Sequence, residues 1–196
     1  MTRGLWFGAT VRGSRPPLTV TEIQRGSPAD TAGLEPGDEV LSVNGKAAKS
    51  SLQFYREVGN AGRDARLVVL RGDQRKDIAV RLLAEKAVFG ADYVRRRLGL
   101  TLERLPADVA GRLRLDPART LWVSAVEKGG PAESSGIVRG QVVTAVDGQP
   151  ATDLVGVGRL LNRKRAGESV RLDLWILRRR GMMLQAIEAH TDVKLR

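Results

Sequence analysis

Cysteine is absent from this 196-residue chain, histidine occurs once, and aromatic side chains make up only 4% of it. No apolar run approaches the roughly 18 residues a membrane-spanning helix needs. Lack of cysteine excludes a disulfide framework, a thiolate zinc site and a cysteine nucleophile. A single histidine, His190, leaves no metal-ligand cluster and only one imidazole general base. No glycine-framed serine of the G-x-S-x-G or G-N-S-G-G kind accompanies it, so it reads as a surface residue and not as part of a Ser-His-Asp triad. There is no G-x-x-x-x-G-K-[ST] phosphate loop either. The expectation is therefore no catalytic residue, no metal and no cofactor. Met1 to Arg12 turns polar too soon for a secretory signal, so neither a signal nor a transmembrane segment is expected in this chain.

Positive charge is in excess, with 33 Lys and Arg against 22 Asp and Glu, a formal net charge of +11. Residues 1–84 account for about +4 of it, and the second half holds the clusters Arg95-Arg96-Arg97, Arg163-Lys164-Arg165 and Arg178-Arg179-Arg180. Such a balance raises nucleic acid, anionic lipid or acidic peptide as partners. Scarcity of aromatic stacking platforms and the lack of a recognisable nucleic-acid motif argue against nucleic acid, leaving solvated edges and turns as the plain reading.

What the chain does contain is a repeat. Residues 26–46, GSPADTAGLEPGDEVLSVNGK, align without a gap on residues 129–149, GGPAESSGIVRGQVVTAVDGQ, at an offset of 103. Each copy begins with a short helix: Ser27 caps it, Pro28 suits its first turn, Asp30 answers the exposed amides, and Gly33 stops it. Gly130, Pro131, Glu133 and Gly136 fill the same places in the second copy. Pro36-Gly37 predicts a turn with positive φ at the glycine, and Arg139-Gly140 keeps only the glycine. A strand follows in each (Val40, Leu41, Val43; Val142, Val143, Val146), ending in the hairpin signals Asn44-Gly45 and Asp147-Gly148.

Longer helices are predicted over Ser50 to Asn60 and Thr152 to Lys164, closed by Gly62 and Gly167. Strands then run over Arg66–Leu70 and Ile78–Leu82 in the first copy, and over Val170–Leu177 and Met182–Ile187 in the second, with Gly72-Asp73 and Gly181 at the turns. Gly156 and Gly158 lower helix propensity by about 1 kcal/mol each relative to alanine, which predicts an adjustable second groove. The expected fold class is β-rich α+β: two domains, each a small, partly open antiparallel barrel or sandwich with two helices. Expected bounds are 1–84, an inter-domain segment 85–95 that packs on a module through Val88, Phe89 and Tyr93, a second domain 96–189, and a tail 190–196.

The run from Gly26 to Gly45 resembles the PDZ domain, particularly the bacterial form attached to HtrA/Deg-type serine proteases. Leu98–Leu102, Leu105–Leu115 and Leu121–Val126, in the order strand, short helix, strand, are similar to that version more than to the animal signalling one. In this family an apolar-Gly-apolar loop cradles a ligand's terminal carboxylate with backbone amides, and the ligand adds as a strand beside the one that follows. The resemblance places that loop at Leu98, Gly99 and Leu100, and in the first copy at Phe7, Gly8 and Ala9, where alanine is smaller than the usual apolar residue. The groove is expected to include Thr101, Leu102, Leu154, Val157 and Leu161, and Thr10, Val11, Leu52 and Tyr55. Arg95, Arg96 and Arg97 stand where they add attraction for a chain end.

The function this implies is a peptide-binding PDZ tandem, the substrate-recognition or regulatory region of an HtrA-like serine protease that binds protein C-termini or unfolded polypeptide. The alternatives are a non-proteolytic scaffold, or the PDZ pair of an intramembrane metalloprotease or secretion component. A periplasmic or cell-envelope setting, and oligomerisation through a protease domain missing from this chain, are further implications of the resemblance.

Overall fold

The computed structural model describes residues 4–113, 115–118, 120–180 and 183–196. Arg114, Gly181 and Met182, part of the sequence expectations above, lie outside the described residues. The chain divides into two compact units, Met1–Ala87 and Val88–Arg196.

The first unit begins with β1 (Leu5–Trp6), β2 (Ala9–Arg12) and β3 (Leu18–Ile23), followed by the one-turn helix α1 (Pro28–Thr31). Ser27 caps α1 by accepting the Asp30 N–H at 3.2 Å, and the Asp30 carboxylate reaches back to the Gly26 N–H at 2.6 Å. Next come β4 (Glu39–Val43), β5 (Lys46–Ala47), α2 (Ser51–Asn60), β6 (Asp64–Arg71), β7 (Gln74–Arg81) and β8 (Leu83–Ala84). Asn44 and Gly45 both have positive φ (48° and 77°), the tight hairpin that joins β4 to β5. The main sheet is antiparallel in the order β2-β3-β4-β6-β7, with β5 on β4, while β1 pairs with β8. It is an open sheet, so β2 is an edge. Alternation on β6 sends Ala65, Leu67 and Val69 inward, and Phe54 and Val58 of α2, one turn apart, close over them.

The helix α3 (Glu85–Val88) joins the two units in sequence, and α4 (Ala91–Leu98) opens the second. Then follow β9 (Leu100–Arg104), α5 (Ala107–Leu113), β10 (Leu121–Val126), α6 (Pro131–Ser134), β11 (Val142–Val146), β12 (Gln149–Pro150), α7 (Leu154–Asn162), β13 (Ser169–Arg180) and β14 (Met183–Lys194). The sheet order is β14-β13-β11-β10-β9, with β12 on β11, so β9 takes the edge that β2 holds in the first unit. Asp147 and Gly148 repeat the hairpin geometry with φ of 48° and 73°.

The second unit departs from the expected pattern in three places. It carries α4 beyond the two helices of the repeat, whereas α5 is the short helix expected within Leu105–Leu115. α5 and the residues beside it cover a separate apolar patch, where Leu105, Ala110 and Val142 gather with Trp122 and Trp175 partly buried against them. The final hairpin is also longer than predicted: β13 and β14 pair from Ser169 with Lys194 to Arg180 with Met183. Residues 190–194 thus lie in β14 and not in a tail, because Val193 and Leu195 have core positions to fill. Finally, the segment expected between the domains is largely helical: Gly90 caps α4, and Val94 and Leu98, four apart, are fully buried in the core of the second unit.

Candidate functional site

At the first edge, backbone register decides which groups face outward. The Gln24 N–H donates to the Gly8 carbonyl at 2.8 Å, so the facing residues Ala9 and Ile23 form the wide, non-bonded kind of antiparallel pair. The N–H and C=O of Ala9 therefore point off the sheet. Val11 lies two residues further along β2, so its N–H points the same way, and the bulge between Thr10 and Val11 leaves the extra residue, Thr21, on β3. Helix α2 packs against β2 and contributes Tyr55, whose hydroxyl accepts the Val11 N–H at 2.7 Å and donates to the Ala9 carbonyl at 3.5 Å.

The residues before β2 are pinned to the start of α1. Gly8 has φ +82° and presses on Ser27 so closely that a β-carbon there would lie 2.1 Å from the Ser27 Cβ. Its carbonyl also accepts the Ser27 hydroxyl at 3.2 Å, and the Phe7 carbonyl accepts the Ala29 N–H at 3.0 Å. The Phe7 ring is buried edge-on against Phe54, with centroids 5.6 Å apart. Thr10 is half-buried, and the side chain of Val11 belongs to the core. Leu52, one turn before Tyr55 on α2, is 81% exposed. Two steps of three residues rotate about 120° around a helix, so the spacing Leu52, Tyr55, Val58 drifts off one face.

The second edge repeats this scheme in part. The Gly99 carbonyl accepts the Glu127 N–H at 2.9 Å, and Glu127 is the repeat counterpart of Gln24. Gly99 has φ +70° and sits against Pro131, as Gly8 sits against Ser27. Leu100 and Val126 form the wide pair, which aims the Leu100 N–H and C=O off β9. The expected row of three outward amides is not present, however. Leu98 ends α4, and the Gly99 N–H is given to the Arg95 carbonyl at 2.7 Å. The cause is local: Val94 and Leu98 make one apolar face, arginines fill the last turn, and Gly99 supplies the left-handed stop.

Helix α4 packs on both β9 and α7. The Tyr93 hydroxyl meets Asn162 Oδ1 at 3.1 Å, and the Arg97 guanidinium donates to the carbonyls of Leu161 (3.3 Å) and Lys164 (2.6 Å) at the end of α7, and to that of Arg196. Val157 and Leu161 of α7 are core residues along with Leu100 and Leu102, while Leu154 is half-buried and Thr101 half-exposed at the margin. Gly158 is a close-packing position and not a source of looseness, because it lies against the Phe89 carbonyl. Gly156 gives its N–H to the cap residue Asp153 at 2.8 Å. Arg95 and Arg96 are exposed and line an open cleft with Gly99, Thr101 and Glu127.

Two ionisable features complete the picture. Asp38, next to the turn before β4, is buried and receives Arg71 Nε at 2.7 Å, Arg71 Nη2 at 2.8 Å and the Glu35 N–H at 2.9 Å. Burial alone raises its pKa, but the hydrogen bonds from Arg71 and Glu35 and the charges of Arg71 and Lys76 outweigh it, so the carboxyl titrates below its ordinary value. His190 lies on β14 opposite Asp173.

An edge strand bordered by a long helix, with a positive-φ glycine at its head, therefore occurs in both units. A family profile described as PDZ domain matches residues 6–82, and a second, also described as PDZ domain, matches residues 122–176. The chain belongs to the PDZ domain family. Its two PDZ domains are 32% identical over 145 residues to a probable periplasmic serine endoprotease, DegP-like, of Chlamydia pneumoniae, covering 72% of this chain and 30% of that protein. A probable CtpA-like serine protease of Staphylococcus aureus (strain N315) is 31% identical over 114 residues, 55% of this chain and 23% of that one. The chain thus spans less than a third of the length of these curated relatives. Among solved structures, the HtrA3 PDZ domain bound to a phage-derived ligand is 21% identical with a TM-score of 0.37, over 40% of this chain and 85% of that one. The PDZ region of DegP-like serine proteases is what the tandem resembles, and among the described residues no helix is long and apolar enough to cross a membrane.

Proposed function

We propose that this PDZ tandem captures the C-termini or extended segments of other polypeptides by strand addition, and that the trough between β2 and α2 is its principal receiving site. The observation that carries the reading is the outward-facing backbone of Ala9 and Val11 on an edge strand flanked by a helix, since such a margin accepts an extended chain through main-chain hydrogen bonds. Phe7, Gly8 and Ala9 would meet the ligand's end, with Thr10, Val11 and Tyr55 beside it. In the second domain Leu100 offers a similar margin, but α4 packs on both β9 and α7, so we assign that domain the lesser share. Likeness to DegP-like endoproteases supports a role as the substrate-recognition or regulatory region of such a protease, in a periplasmic or envelope setting.

Fluorescence polarisation with labelled peptides of apolar C-terminus tests this. The expected result is a Kd on the order of micromolar, lost when the peptide carboxylate is amidated. Equal binding of free and amidated peptides would remove carboxylate capture from the proposal. A steep salt dependence of nucleic-acid binding without peptide binding would replace it.

A further inference from the structure

The Val11 N–H, the group a ligand strand would bond, is already taken. A phenolic hydroxyl can accept one hydrogen bond and donate another. Tyr55 uses both capacities on β2, accepting from Val11 at 2.7 Å and donating to Ala9 at 3.5 Å. It thereby covers the donor and the acceptor that one repeat of an added strand would cover. Its ring is held in place by an edge-on contact with Phe54, centroids 5.2 Å apart, so the hydroxyl is presented to β2 by the packed face of α2.

A second observation concerns the same helix position in the other domain. Ser50 and Asp153 cap α2 and α7 and stand 103 residues apart, the repeat offset. Continued along the helices, that offset sets Gly158 in the place of Tyr55. The glycine leaves room there, and the chain's own Phe89 fills it, its carbonyl oxygen 2.3 Å from where a β-carbon would be. In each domain, this one helix position is filled from inside the molecule, by a side chain in the first and by a crossing backbone in the second.

We propose that Tyr55 is an exchangeable internal ligand of the first PDZ domain: an incoming strand must displace its hydroxyl from the Val11 N–H, and Tyr55 therefore sets the threshold affinity for extended peptides. The proposal rests on the strand-addition reading given above. It selects for ligands that put a well-placed carbonyl opposite Val11, since a weaker acceptor does not repay loss of the phenol bond.

The test compares the full chain with its Tyr55→Phe variant, which keeps the ring and removes only the hydroxyl. Two quantities are read: exchange of the Val11 amide hydrogen without ligand, and the Kd of a fluorescein-labelled pentapeptide with a free C-terminal valine, followed by NMR at Ala9 and Val11. The expected result is Val11 exchange faster, and peptide binding tighter, by roughly three- to tenfold, the worth of one ordinary hydrogen bond. Faster exchange with an unchanged Kd at β2 would overturn the threshold role while leaving strand addition standing. Unchanged Val11 exchange would overturn the internal-ligand bond itself. If neither protein binds at β2, although exchange rises in the variant, strand addition at this edge fails and takes the proposal with it.

Discussion

The carbonyl oxygen of Phe89 lies against Gly158 so closely that a β-carbon on Gly158 would sit 2.3 Å from it. Both partners of this contact are backbone, so neither can rotate away. Gly158→Ala should destabilise the second domain by roughly 2 kcal/mol, the overpacking cost exceeding the gain of about 1 kcal/mol in helix propensity. Gly156→Ala is the contrasting case. Its β-carbon would meet Asp153 only at 3.6 Å, an ordinary contact, so propensity should prevail and stability rise by about 0.5–1 kcal/mol. Urea unfolding of both variants decides the matter. Equal effects would mean that α4 and its lead-in do not hold Phe89 against α7.

The pair of buried Asp38 with partly exposed Arg71 makes the first domain acid-sensitive. Because the folded-state pKa of Asp38 is lowered below its ordinary 3.8, its contribution is fully present above that value and is lost as pH falls towards and through the folded pKa. In the second domain the sheet register puts Gln141 and Ile176 in these two places, so no such loss is expected there. Hydrogen exchange below about pH 4 should therefore show Leu67 and Val69 losing protection before Leu172. Arg71→Met, which leaves the Asp38 carboxylate buried without its partner, should cost about 3 kcal/mol at neutral pH and much less in acid.

Gly8 and Gly99 hold equivalent positions with unequal room. Both have positive φ, but a β-carbon on Gly8 would lie 2.1 Å from Ser27 Cβ, whereas one on Gly99 would meet the Pro131 ring at 3.1 Å. Gly8→Ala should cost roughly 3 kcal/mol and abolish peptide binding to the first domain, because it pushes the head of β2 off α1. Gly99→Ala should cost about 1 kcal/mol, mostly backbone strain. Calorimetric melting of the two variants separates the cases; a milder Gly8→Ala would show that the loop before β2 is not anchored on Ser27.

Features fixed by local backbone demands were legible in the sequence. Asn44-Gly45 and Asp147-Gly148 could only be tight hairpins, and Ser27-Pro28 with Gly33 could only open and stop a short helix. The edge glycines Gly8 and Gly99 were found because each precedes a strand-like run at the same place in its repeat. Helix α4 was missed although its signals were present: Val94 and Leu98 lie four apart, and arginines in the last turn precede Gly99, yet the arginine run read as a solvated entry to a strand. The length of β14 was obscured because Asp192 and Lys194 flank Val193 on a strand with one wet face, with Leu195 just past its end. Leu52, Tyr55 and Val58 step by threes along a helix that turns in 3.6 residues, so Val58 enters the core while Leu52 stays exposed. Spacing could turn Tyr55 towards β2, but that its hydroxyl ends on the Val11 N–H is a tertiary fact no local pattern encodes.

Resonance-by-resonance NMR of the isotope-labelled chain, titrated with a short peptide bearing a free apolar C-terminus, tests strand addition most directly. The predicted outcome is saturable shifts centred on the Ala9 and Val11 amides and the Tyr55 hydroxyl environment, with slowed exchange at Ala9 and no response to the amidated peptide. Shifts confined to the β13–β14 hairpin, or none along β2 at a millimolar excess of peptide, would contradict it.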